Sequence, residues 1–125
     1  MICAAAVATV RTILEEGILN RTEEIGEYLV GELEALGKKY PFVKEVRGIG
    51  LMIGVEFVKD RSSKEPAEQL RDEIIHKAFE RGLLMLGCAK SVIRIAPALS
   101  ISKTQIEEGL MIFEEALTLA EKEVR

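Results

Sequence analysis

Apolar residues in the first third of the chain recur at helical spacing. Cys3, Val7, Val10 and Leu14 fall on one stripe of a segment running from Cys3 to Glu16, which predicts an amphipathic helix. Gly17 interrupts the stripe. A second helix comes next, with Ile18, Ile25, Leu29, Leu33 and Leu36 inward and Glu23, Glu24, Glu27, Glu32 and Glu34 mostly outward. Gly37 and Pro41 mark its expected end. Gly26 and Gly31 lie inside this helix, where glycine costs stability, so close backbone packing against a neighbour is expected at both.

The pattern then shortens to that of strands. Phe42 to Val58 is rich in Val, Ile and Phe, and reads as a strand at Val43–Val46, a turn at Arg47–Gly48 and a strand at Leu51–Val58. Lys59 to Pro66 is a polar loop. Ala67 to Arg81 is a helix with Leu70, Ile74 and Ala78 on one face and Gly82 behind its end. Two further strands are expected at Leu83–Leu86 and Val92–Ala96. The last helix carries a clear start signal. Ser102 can cap it, Gln105 completes a capping box, and Ile101 can staple onto Ile106. Its stripe runs through Ile106, Leu110, Phe113, Leu117 and Ala120. The order α-α-β-β-α-β-β-α implies an α+β fold: a small, mostly antiparallel sheet with helices packed chiefly on one face, in one domain over residues 1–125.

Composition narrows the function classes. Nearly half of the 125 residues are apolar, and charges of both signs are mixed, as in a globular protein with one core. A formal charge of −4 argues against a grip on nucleic acid, which needs clustered Lys and Arg, and against a basic membrane-surface helix. No apolar run approaches the roughly 20 residues that span a bilayer. The opening residues do not read as a secretory signal. Cys3 and Cys88 stand apart without a CxxC or Cys/His spacing, which fits a reducing compartment and argues against a metal motif. A cytoplasmic protein is expected.

Candidate chemistry is sparse. The run Gly48-Ile49-Gly50-Leu51-Met52-Ile53-Gly54 has its third glycine one residue late for a dinucleotide fingerprint, and the residues after it are strand-like instead of helical, so tight turning and close packing are expected. His76, the single histidine, sits at the charged edge of a helix and reads as a surface residue. No serine stands in an elbow sequence beside it. A Schiff-base lysine needs a desolvated pocket. Lys90 alone lies in a loop between strands, and the other lysines lie on polar helix faces or beside turns. Asp60 and Asp72 are the two aspartates, one in the polar loop and one on a charged helix face. No catalytic, cofactor-binding or metal-binding residue is therefore assigned. Arg94 is different: it sits in the apolar strand Val92-Ile93-Arg94-Ile95-Ala96, where alternation puts Val92, Arg94 and Ala96 on one face. It is either a solvent-facing residue paired with a carboxylate such as Glu56 on a neighbouring strand, or a fork for a ligand carboxylate.

Three segments together resemble the C-terminal end of class III aminotransferases of the ornithine, 4-aminobutyrate and acetylornithine type. They are Cys3-Ala4-Ala5-Ala6-Val7-Ala8-Thr9 with the Glu-rich helix after it, Val46-Arg47-Gly48-Ile49-Gly50-Leu51-Met52-Ile53-Gly54-Val55-Glu56-Phe57, and Gly82-Leu83-Leu84 followed by Ile93-Arg94-Ile95-Ala96-Pro97-Ala98-Leu99. The resemblance covers essentially the whole chain. It implies the small domain of a fold-type-I enzyme that moves an amino group between an amino acid and a 2-oxo acid through pyridoxal phosphate. In that family the arginine of the Arg-x-x-Pro segment contacts the substrate carboxylate, which assigns substrate binding to Arg94.

The same resemblance places the family's cofactor lysine, pyridine-pairing aspartate and phosphate loops upstream, in a large domain not included in these 125 residues. A truncated or separately encoded small domain, inactive alone, is therefore expected. Its expected partners are a second copy, joined through the stripe of the first helix, or a large-domain polypeptide. The rival expectation is a small non-enzymatic module that binds an amino acid or serves in assembly.

Overall fold

The computed structural model describes residues 1–124. Four helices and four strands succeed one another as α1 (Ile2–Glu15), α2 (Ile18–Lys39), β1 (Val43–Ile49), β2 (Met52–Phe57), α3 (Glu68–Glu80), β3 (Leu86–Cys88), β4 (Val92–Ile95) and α4 (Lys103–Val124). The strands form one sheet in the order β1-β2-β4-β3, and every neighbouring pair is antiparallel. The expected element order and α+β class hold.

Alternation along the strands separates two sheet faces. Ile53, Val55 and Phe57 of β2 and Ile93 of β4 are buried on one face, beneath Leu29 and Leu33 of α2, Leu70, Ile74 and Ala78 of α3, and Phe113 and Leu117 of α4. These are the inward positions that the helical periodicity marked. The other face, which carries Arg47, Gly54, Glu56 and Arg94, has no helix over it among the described residues. Among the described residues helix α1 packs only against α2, turned off it at Gly17, whose φ of +62° is one that glycine adopts freely. No residue of α1 is buried. No helix among the described residues is long and apolar enough to cross a membrane.

The start of α4 matches its sequence signal. Ser102 N–H donates to Gln105 Oε1 at 3.0 Å and Gln105 N–H donates back to Ser102 Oγ at 3.2 Å, so two otherwise orphaned amides are satisfied reciprocally.

Three boundaries differ from expectation. The β1–β2 turn is not at Arg47–Gly48: β1 continues to Ile49, which pairs with Met52, and Gly50–Leu51 makes the turn with Gly50 at φ +54°. Both glycines were eligible, and close packing decides. A Cβ at Gly48 would lie 2.8 Å from Ile53 Cα inside the ladder, so Gly48 serves strand packing. Helix α2 passes through Gly37 to Lys39, and its free end is held by Arg61, whose Nη2 donates to Gly37 O at 2.8 Å. Strand β3 begins at Leu86 and not at Leu83. Gly82, at φ +88°, caps α3: its N–H donates to Phe79 O and the Leu83 N–H to Ala78 O, both at 2.9 Å. That capping pattern ties Leu83 to the helix end and delays the strand.

Of the two glycines inside α2, Gly26 meets the expectation. A Cβ there would lie 2.8 Å from Gly50 Cα, so the helix backbone rests directly on the hairpin turn. Gly31 has open space around it, and the expected close approach is absent there.

Candidate functional site

Strand register places the candidate residue. Arg94 on β4 stands opposite Gly54 of β2 on one side and Leu86 of β3 on the other, and Gly54 in turn stands opposite Arg47 of β1. One row across the open face therefore reads Arg47, Gly54, Arg94, Leu86. Ile93 and Ile95, the neighbours of Arg94 along the strand, take the helix-covered side, as alternation required. Arg94 is exposed and, among the described residues, has no hydrogen-bond or ion-pair partner.

The adjacent row holds Glu45, Glu56, Val92 and Cys88. Here the expected Arg94–Glu56 pair does not form. Glu56 Oε1 accepts from Lys44 Nζ at 2.6 Å and Oε2 accepts from Arg47 Nη1 at 2.7 Å, so both carboxylate oxygens are already held. These two hydrogen bonds, led by that from Lys44, hold the Glu56 carboxyl below its ordinary range despite some desolvation. Arg47 also reaches Glu45 at 3.1 Å. The solvent-facing alternative for Arg94 is correct about exposure and wrong about the partner. Periodicity alone could not show this, because a β-bulge between Val43 and Glu45 brings Lys44 to Glu56.

Beside Arg94 a cleft of about 280 Å³ opens between the segment leading into β3, the segment leaving β4, and α4. Among the described residues Arg94 is the one charged residue that lines it, and Leu84, Leu86, Pro97, Ile101 and Leu110 contribute apolar walls. The cleft reaches Arg94 from the end of β4, while alternation turns the Arg94 side chain to the open face, where its guanidinium offers two parallel N–H donors to a carboxylate.

The remaining candidates fall where they carry no such chemistry. His76 is exposed on α3, with Nδ1 3.7 Å from Glu80 Oε1. Cys3 and Cys88 are free thiols. Among the described residues no three His, Cys, Asp or Glu side chains are grouped to hold a metal ion. Lys90 occupies the exposed turn between β3 and β4, and none of the lysines is buried. Asp60 accepts hydrogen bonds from Ser62 and Ser63 within its own loop, and Asp72 contacts Arg71 Nε at 2.6 Å. The donors present therefore do not fit pyridoxal phosphate on their own, since neither a desolvated lysine nor a free buried aspartate is available to it.

One buried charge went unnoticed in the sequence. Arg71 of α3 lies under Gly87 of β3, where a Cβ would come within 2.9 Å of Arg71 Nη1, and it donates to Ala89 O at 3.3 Å. Its position was readable from helical spacing: residues 71, 74 and 78 share a stripe with the buried Ile74 and Ala78. Arg71 supports the β3–β4 turn from the core side, opposite the face that presents Arg94.

The chain is similar to known proteins along most of its length. The family model "Aminotransferase class-III" matches residues 1–117. The chain is 40% identical over 119 residues to an alanine/serine racemase of Pyrococcus horikoshii, covering 94% of this chain and 25% of that one. It is 32% identical over 122 residues to the 4-aminobutyrate aminotransferase of Escherichia coli, covering 96% of this chain and 29% of the relative. An aminotransferase structure from Bacillus anthracis superposes with a TM-score of 0.87 at 27% identity, over 94% of this chain and 28% of that one. The chain thus spans little more than a quarter of the length of such relatives. Matched along nearly all of its own length, it belongs to the class III aminotransferase family.

Proposed function

We propose that these 125 residues serve as the carboxylate-receiving small domain of an enzyme that transfers amino groups between amino acids and 2-oxo acids. Arg94 receives the substrate carboxylate, and the reacting centre is built by polypeptide outside these residues. The observation that supports this is the state of Arg94: exposed on the open sheet face without a partner among the described residues, although a carboxylate stands one row away.

Pyridoxal phosphate, when bound in a whole enzyme, supplies the carbonyl chemistry of amino-group transfer. The residues described here orient the ligand. Arg94 offers a planar pair of donors that fixes one end of the substrate on the open sheet face. The chain by itself is inactive. Incubation with pyridoxal phosphate, an amino acid and a 2-oxo acid, followed by borohydride reduction, should leave no stoichiometric lysine adduct and no transferred amino group. Turnover by the purified chain would overturn the proposal.

A second activity class is favoured by one observation. The Pyrococcus relative at 40% identity is a racemase, and racemisation would use the same fixed carboxylate while the amino group stays on its carbon. Chiral analysis of a single enantiomer incubated with the whole enzyme separates the two: loss of chirality without a 2-oxo acid product indicates racemisation.

A further inference from the structure

We propose that Lys44 and Arg47 are positioning residues: by occupying both oxygens of Glu56 they keep that carboxylate off Arg94 and leave its guanidinium free for a ligand. This deepens, and rests on, the carboxylate-receiving role of Arg94.

The register sets up the competition. Glu56 pairs with Val92 and Gly54 pairs with Arg94, so Glu56 and Arg94 are diagonal neighbours on adjacent strands and share the open face. Diagonal positions lie roughly 7–8 Å apart, a span that an arginine and a glutamate side chain close together. With nothing else in reach, the two would form an ion pair and quench the site.

Two features of β1 prevent it. The bulge between Val43 and Glu45 lets Val43 stay buried opposite Phe57 while Lys44, the extra residue, is released from the core side and reaches Glu56 Oε1 at 2.6 Å. Without the bulge, alternation would set Lys44 opposite Phe57, on the buried face. Arg47 comes from the neighbouring row. It stands opposite Gly54, and with no side chain there its guanidinium has a clear path to Glu56 Oε2 at 2.7 Å. Lys44, Glu45 and Arg47 on β1 and Arg94 on β4 are the charged groups on the strands flanking Glu56, and Glu45 is itself taken up by Arg47 at 3.1 Å. The cations on β1 thus satisfy Glu56 from one side, and Arg94 on the other side stays unpaired. The depressed carboxyl of Glu56 accords with a carboxylate held by both cations of β1.

The test uses the intact chain and the Nε–Hε NMR signal of Arg94. In the parent protein this signal should not track the titration of Glu56. In Arg47→Ala it should track it, because a freed Oε2 turns toward Arg94; Arg47→Ala/Glu56→Gln should be flat again, and Arg47→Lys should remain flat. If Arg47→Ala compromises folding, Lys44→Ala frees the other oxygen and serves the same purpose. A second arm titrates propionate. Arg47→Ala should weaken its binding by up to about fivefold, the scale of one exposed ion pair, and Glu56→Gln in the same chain should restore it. An Arg94 signal that ignores Glu56 in both alanine variants would overturn the positioning role. Propionate binding unchanged by Arg94→Ala would instead overturn the ligand role of Arg94, while the ligand-free titration still decides the positioning.

Discussion

Gly54 stands directly opposite Arg94 in the β2–β4 register, so the guanidinium has no side chain on its β2 flank. A carboxylate placed there would be an internal ligand. Gly54→Asp is expected to pair with Arg94 and lower its affinity for propionate by up to about fivefold, the scale of a cross-strand charge pair. The space allows it with a small adjustment, since a Cβ at Gly54 would meet Val92 Cγ1 at 3.3 Å. Gly54→Asn, which adds similar bulk without charge, should change affinity little. Equal losses in the two variants would point to steric disturbance in place of competition.

The Glu56 cluster predicts a pH dependence of stability. Hydrogen bonds from Lys44 and Arg47 depress the folded-state carboxyl below its unfolded value. The stabilisation is therefore complete above the ordinary glutamate range, near about 4.3, and is lost as pH falls through the depressed folded-state value. Thermal melts of the parent chain and Glu56→Gln should differ most at neutral pH and converge in acid. A gap that widens in acid would contradict the sign. Added salt should narrow it, because the pairs are partly exposed.

The two glycines inside α2 should respond oppositely to alanine. Gly26→Ala forces a methyl against the backbone of Gly50 and is expected to destabilise by about 1–3 kcal/mol. Gly31→Ala adds a methyl in open space and should stabilise by about 0.5–1 kcal/mol through reduced backbone freedom in the unfolded chain. Urea unfolding of both variants checks the contrast.

That pair also marks how far the sequence could be read. Propensity treats Gly26 and Gly31 alike, because what separates them is the β1–β2 turn, which meets only one of them. Element order, the inward stripes of α2, α3 and α4 and the Ser102–Gln105 cap were legible because each is a local pattern with a fixed period or spacing. The start of β3 was not: Leu83 to Leu86 is too short an apolar run to declare its structure, and the cap at Gly82 took its first residue. At the candidate site, alternation correctly turned Arg94 to the open face. It could not choose among the three basic residues in reach of Glu56, because the β1 bulge that decides this leaves no periodic trace.

Helix α1 carries a prediction about assembly. Val7, Val10 and Leu14 are 51%, 56% and 69% exposed along one stripe, a concentration of apolar surface that soluble monomers seldom present. In isolation the chain is expected to self-associate through this helix. Light scattering should detect oligomers at high concentration, and Val10→Glu should shift the population toward monomer. A monodisperse monomer for the parent chain would exclude α1 as a self-association surface.

Titrating the isotope-labelled chain with propionate tests most directly whether Arg94 is an open carboxylate receptor. The Arg94 Nε–Hε signal should shift saturably, with smaller changes at Leu84 and Leu86 beside the cleft, and saturation should be lost in Arg94→Ala. A titration that leaves the Arg94 signal in place, or moves all exposed arginines alike, would contradict it.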